Sequence, residues 1–414
     1  MIQNNVNKKY RGVSKRILAC AMTGCMVFGY AGNMSIPVVY AVEETEAETY
    51  TDENGVVYTL NSGTCSVTGY TKDVKEAIVI PKAIKVNGTE YTVTMIGDKA
   101  FSTCSSLKSI TIPTSVTSIG EYAFYNCSSL TGATIADSVT SIGTNAFRNC
   151  IKLESVNIPS QLHKIEDYVF FNCSSLTSVN IPDGVQIIGE STFKDCISLA
   201  NVTIPNTVRG MGQSAFANCS SLTGIHIPDG VTCIENYTFQ YCSGITSVTL
   251  PSSVTSIECG AFYGCSGLTS VTIPDSVTSI DMKVFKNCKS LVDVSIPKYV
   301  TNIGQSAFEN CSSIVSLSIP ERITSIQYGT FYGCSSLISI DIPSNVKSMG
   351  AYVFCGCSSL QSISIPEGVT NIGIGIFDGC SSLTSINIPS KVTNIGNYAF
   401  RGCSNVTSIK YLKV

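Results

Sequence analysis

The sequence predicts a solenoid, a chain wound into stacked turns that share one continuous core. Three observations predict it. Cysteine recurs at 104, 127, 150, 173, 196, 219, 242, 265, 288, 311, 334, 357, 380 and 403, and every step is 23 residues. Phenylalanine keeps the same step three residues earlier, from Phe101 to Phe400. Proline marks a third phase from Pro113 to Pro389, broken only at Ala136. A strict period of this length is the mark of stacked supersecondary units. About fourteen 23-residue repeats fill an array over residues 98–414.

Each unit opens with a strand. In Leu268-Thr269-Ser270-Val271-Thr272-Ile273-Pro274 apolar and polar residues alternate from Val271 to Ile273, the period of a half-buried strand. Thr, Val and Ile suit the pleated state. Pro274 has no N–H for a ladder and ends the strand. Asp275 and Ser276 supply turn chemistry, and Val277 and Ile280 return the chain to the core. Glycines such as Gly120, Gly143 and Gly304 fit a further sharp bend. The segment around Ala123-Phe124 is expected to make a single helical turn. Asn126, or Gly264 in a later unit, would close it, because both residue types tolerate positive φ. No unit can bury its apolar residues alone, but stacked units can. Each residue so buried contributes about 1.5–3 kcal/mol. Phe124, Cys127 and Leu130 in one unit, and Phe262, Cys265 and Leu268 in another, represent the expected core ladder. The strands are expected to join in one long parallel sheet.

Before the array come three segments. Residues 1–16 carry Lys8, Lys9, Arg11, Lys15 and Arg16 with no acid, and an apolar stretch follows from Ile17 to Tyr40. Val39-Tyr40-Ala41 ends it in a small-residue cleavage pattern, so residues 1–41 read as a secretory signal peptide. Gly24, Gly29, Gly32, Asn33 and Pro37 interrupt the apolar run, which argues against a membrane anchor. Cleavage removes those five basic residues and leaves 21 Lys+Arg against 29 Asp+Glu, a net −8. No membrane insertion is expected after it. Residues 42–54 are acidic and read as a linker. Residues 55–97 read as a degenerate first repeat and N-terminal cap. There Ile80-Pro81 keeps the phase of a strand end, and Val86-Asn87-Gly88 resembles a hairpin turn. Terminal repeats need such capping.

Composition narrows the function. Of the 414 residues 44 % are hydrophobic and 13 % charged, which excludes a solvated disordered chain. The formal charge of −3 argues against nucleic acid, which calls for a basic patch. No cofactor or metal site is expected: Cys355-Gly356-Cys357 is the only close cysteine pair after residue 41, and Cys-x-x-Cys is absent. The ladder cysteines repeat like core residues and are expected as buried thiols rather than a bridged ladder. Cys233, Cys259 and Cys355 fall at variable positions and are expected to be more accessible. There are two histidines, His163 in a turn and His226 on the outward side of a strand. A Cys219–His226 hydrolase would need a positioned pair, yet Cys219 belongs to the core phase. No catalytic residue is expected.

What remains is surface. Between the two apolar strand positions the outward series includes Thr203, His226, Thr249 and Thr272. A ladder rich in hydroxyls can hold an extended peptide or glycan through many weak hydrogen bonds, and these four are the candidate ligand-binding residues. Tyr122, Tyr125, Tyr168, Tyr237, Tyr263, Tyr332, Tyr352 and Tyr398 flank the repeat phenylalanine on the side away from the sheet.

The full unit, with Ile-Pro, Ile-Gly, Ala-Phe and Cys-Ser-Ser-Leu, resembles the BspA-like leucine-rich repeat class of bacterial surface proteins. That resemblance implies a leucine-rich repeat solenoid of mostly β structure, curved and right-handed. It also implies adhesion or binding of an extracellular protein or glycan, at the cell surface or after secretion. A monomer is expected.

Overall fold

The computed structural model describes residues 47–411. The signal peptide expected over residues 1–41, with Cys20 and Cys25, lies outside the described residues.

The chain begins with an antiparallel meander: β1 (Thr49–Thr51), β2 (Val56–Asn61) and β3 (Thr64–Tyr70). Strand β1 falls inside the stretch read as a linker over residues 42–54. It forms because Tyr50 packs on Tyr58, with ring centroids 6.3 Å apart. After β4 (Ala77–Val79) comes a hairpin of β5 (Ala83–Val86) and β6 (Thr89–Ile96). It turns at Asn87 (φ 51°) and Gly88 (φ 85°), the left-handed pair that a two-residue hairpin loop requires.

From there the chain makes about thirteen turns of roughly 23 residues, each with three sides. The first side is the expected strand ladder. Ser247–Thr249 and Ser270–Thr272 pair in parallel one period apart, with Thr249 opposite Thr272. Strand β4 begins this ladder by pairing Ile78 with Ile110. The second side is a further parallel ladder that the sequence reading lacked. It consists of two-residue strands such as Ser118–Ile119 and Ser256–Ile257, and β6 begins it by pairing Ile96 with Ile119. The segment read as a cap thus adds a strand to each ladder at the first coil's edge.

One long sheet was expected on the first side, and the ladder is instead interrupted. No strand forms over residues 222–228. At Asn157 the side-chain Oδ1 accepts from the Ile135 N–H at 2.8 Å, where a strand carbonyl would otherwise serve.

The third side is not a helical turn. Among the described residues there is no helix. Tyr122, Phe124 and Asn126 donate their N–H groups to the carbonyls of Thr144, Ala146 and Arg148 in the next coil, at 3.1, 2.7 and 2.8 Å. The same three bonds recur at every step, ending with Gly375, Phe377 and Gly379 bound to Asn397, Ala399 and Arg401. A helix would close these donors within the segment. Positive φ at Tyr122 (55°) and Asn126 (58°) turns them along the stack instead.

The core runs the length of the stack. Phe124, Cys127, Leu130, Phe262, Cys265 and Leu268 are all fully buried. The phenylalanine rings stack from Phe101 to Phe400, with neighbouring centroids such as 4.9 Å for Phe124–Phe147 and 5.8 Å for Phe377–Phe400. Tyr70 of β3 lies on Phe101 at 6.1 Å, adding a ring from the cap to the column. Its hydroxyl donates to the Ser102 carbonyl at 3.1 Å. From Cys127 onward each ladder thiol donates to a phenylalanine carbonyl of the preceding coil, as Cys127 to Phe101 and Cys265 to Phe239, both at 3.0 Å. Cysteine therefore acts here both as a small core residue and as a donor. Every described cysteine is a free thiol.

Candidate functional site

The first side presents the outward strand positions as a row one coil apart. Thr203, His226, Thr249 and Thr272 occupy four successive coils, and all four are exposed. Thr203 stands opposite Asn180 in the ladder, and Thr249 opposite Thr272. His226 sits in the coil that lacks the first-side strand, and its Nε2 lies 3.3 Å from Asn206 Oδ1. Thr269, one column aside, donates its hydroxyl to the Thr246 carbonyl at 2.9 Å. Hydroxyls in that column help to hold the stack together, and the column of Thr203, Thr249 and Thr272 faces outward.

Grooves indent this side. One of about 640 Å³ is lined by Gly132, Thr134, Ser155, Asn157, Ser178 and Asn180. It owes its depth to small residues, since a Cβ at Gly132 would meet nothing within 4 Å. A second, of about 570 Å³, is lined by Ser295, Lys298, Ser316, Ser318, Glu321 and Asp341. Thr203 lines a third, of about 510 Å³, with Ser160, Asn180 and Asp183. The two larger grooves flank the predicted residues rather than containing them. Beside the second groove Val292, Val315 and Ile338 stack in consecutive coils at 55, 44 and 41 % exposure. Sequence reasoning missed this ridge, although three apolar residues at the position that is Thr in Thr246 and Thr269 were a readable signal.

No hydrolytic pair forms between Cys219 and His226. The Cys219 thiol is fully buried and donates to the Phe193 carbonyl at 3.2 Å. Burial pushes it well above the usual thiol range. His163 is exposed, with Nδ1 3.5 Å from the Gly184 carbonyl oxygen. Cys233, Cys259 and Cys355 are half-buried, and burial pushes the Cys233 thiol up to about 11. Among the described residues no group of three His, Cys, Asp or Glu side chains could hold a metal ion. No helix there is long and apolar enough to cross a membrane.

The tyrosines lie on the third side. Tyr122, Tyr168, Tyr237, Tyr352 and Tyr398 all hold positive φ, between 55° and 63°, a costly conformation for a bulky residue. The ring of Tyr237 covers Gly260 of the next coil, where a Cβ would lie 2.5 Å from it. At such places a large residue in one coil depends on glycine in the next. Asparagines use the same side differently: Asn172 Nδ2 donates to Asn149 Oδ1 at 3.1 Å, and Asn310 Nδ2 to Asn287 Oδ1 at 2.9 Å.

Comparison with known proteins adds to this. The family model described as "BspA type Leucine rich repeat region" matches residues 83–185, 163–292 and 278–407. A leucine-rich repeat protein from Bacteroides ovatus is 32 % identical, with a TM-score of 0.79; the match covers 87 % of this chain and 98 % of that one. A leucine rich cell surface protein from Faecalibacterium prausnitzii is 30 % identical over 89 % of this chain and 96 % of that one, with a TM-score of 0.54. A leucine-rich repeat protein from Eubacterium ventriosum shares the fold at 24 % identity, covering 88 % of this chain and 96 % of that one, with a TM-score of 0.54. No curated protein matches the chain.

Proposed function

Since this chain belongs to the BspA-type leucine-rich repeat family, we propose that it is an exported, non-catalytic binding protein. It acts at the cell surface or after secretion and holds an extended extracellular protein or glycan along its first side. The observation that carries this reading is the row of exposed polar side chains at Thr203, His226, Thr249 and Thr272, repeated coil after coil and flanked by grooves. A ligand laid along such a row gains many modest hydrogen bonds at once, and stacked repeats use extended surfaces of this kind. The Faecalibacterium relative, described as a cell surface protein, supports the location, as does the signal peptide read over residues 1–41. The test is a glycan and matrix-protein array probed with residues 42–414, then with a variant carrying Thr203→Ala, His226→Ala, Thr249→Ala and Thr272→Ala. The expected result is a signal that the variant loses. Signals that all survive the four changes overturn the placement on this side.

The ridge of Val292, Val315 and Ile338 favours a second reading, a self-associating surface scaffold. Sedimentation at high concentration tests it, and a clean monomer rejects it.

A further inference from the structure

We propose that the column Tyr125, Arg148, Phe171 and Lys194 on the third side binds an extended anionic glycan in which every second sugar carries an acidic group. This site lies on a different side from the strand row and does not depend on it.

The four residues occupy one position in four consecutive coils, each directly after a core phenylalanine. Aromatic and cationic side chains alternate along them. The Arg148 guanidinium lies 4.6 Å from the centre of the Phe171 ring and 5.6 Å from that of Tyr168. The Lys194 ammonium lies 6.0 Å from the Phe171 centre. Neither cation forms an ion pair among the described residues, and the same column farther along shows the contrast. There Lys286 pairs with Glu309 at 3.0 Å, and Arg401 pairs with Asp378. Cations in the later coils thus have an acid one coil away, whereas Arg148 and Lys194 have rings as neighbours. Arg148 donates from Nη1 to Asn145 Oδ1 at 3.0 Å, and its buried Nε has no partner. The nearby carboxylates are engaged elsewhere. Glu190 accepts from the Tyr168 hydroxyl, and Asp195 accepts from Asn218 Nδ2 at 2.6 Å.

Spacing selects the ligand. Arg148 and Lys194 are two coils apart, roughly 10 Å along the stack at the usual strand separation. One sugar of an extended pyranose chain advances by close to one coil. Acidic groups on alternate sugars then meet the two cations, the sugar between them lies at Phe171 and the one beyond Arg148 at Tyr125, and both rings offer half-exposed apolar surface. A carboxylate or sulfate suits the planar fork of Arg148 and the point charge of Lys194. An extended acidic peptide repeats side chains on one face every ~6.8 Å, which does not match the cations.

The experiment uses residues 42–414 and a hyaluronan octasaccharide, which has one carboxylate per disaccharide, in calorimetric titration. The comparison ligands are a neutral chitin oligosaccharide of equal length and a polyglutamate peptide of equal charge. The expected result is binding of the hyaluronan fragment alone, weakened about fivefold by Arg148→Gln and by Lys194→Gln and unchanged by Lys286→Gln. Lys194→Glu, at the edge of the column, gives a second reading if Arg148→Gln lowers the melting temperature. No binding, equal binding of either comparison ligand, or equal loss on Lys286→Gln overturns the proposal. The Thr203, His226, Thr249 and Thr272 variant retains this binding, so the two readings fail separately.

Discussion

Cys265 lies between Phe262 and Leu268 in the core, and its thiol donates to the Phe239 carbonyl of the coil before. Alanine at this position would open a small cavity and remove one donor from a buried carbonyl. Cys265→Ala is expected to cost about 1–2 kcal/mol, read as a lower urea midpoint; an unchanged midpoint would mean that the sulfur contributes neither packing nor hydrogen bonding. The burial of this residue was legible from its phase, because a cysteine repeated without exception between Phe and Leu, Ile or Val points inward. Its hydrogen bond was not legible, since sequence does not reveal which carbonyl of the previous coil lies within reach. The positive φ at Asn126 and Gly264 was readable from residue type. That of Tyr122, Ser214 and Lys283 was not, because the stack imposes a conformation that those residues do not favour.

Among the elements, the first strand ladder followed directly from alternation. The second ladder did not, because two residues such as Ser256–Ile257 are too few to show a period. The helical turn expected around Ala-Phe lost to bonds between coils. Three N–H groups per turn find carbonyls in the next coil, an option that exists only once coils are stacked. The candidate site was legible to the same extent: alternation placed Thr203, Thr249 and Thr272 on the outside, but the missing strand around His226 depends on its neighbours. The cap gives a prediction at this scale. Tyr70 joins the meander to the phenylalanine column through ring stacking and its bond to Ser102. Tyr70→Ala is expected to loosen the cap by about 2 kcal/mol. Amide exchange should speed up in β2, β3 and residues 97–104, while coils near residue 260 stay protected, because stacked repeats couple mainly to their neighbours. Uniform acceleration along the chain would contradict this.

Across the whole molecule the thiols act together. Burial pushes Cys127, Cys196, Cys242 and Cys334 up to about 12, from an ordinary value of 9.0. The folded state therefore holds these protons more tightly than the unfolded chain. The stability linked to them is fully present below pH 9 and is lost progressively as pH rises toward 12. The melting temperature is expected to stay level up to about pH 9 and to fall steeply above it; a level profile to pH 11 would show that the thiols are not the groups that matter.

The aligned N–H groups of the third side have an electrical consequence. Each coil adds peptide dipoles with their donors directed toward the C-terminal end of the stack. Along that side the local field has its positive pole at that end, opposite in sense to an α-helix, whose amino end is positive, while on the second side N–H groups such as those of Thr140 and Gly143 point the other way, to Thr117 and Ile119. A charged polymer lying lengthwise on the third side would thus meet a gradient, and its two possible orientations there would differ in energy.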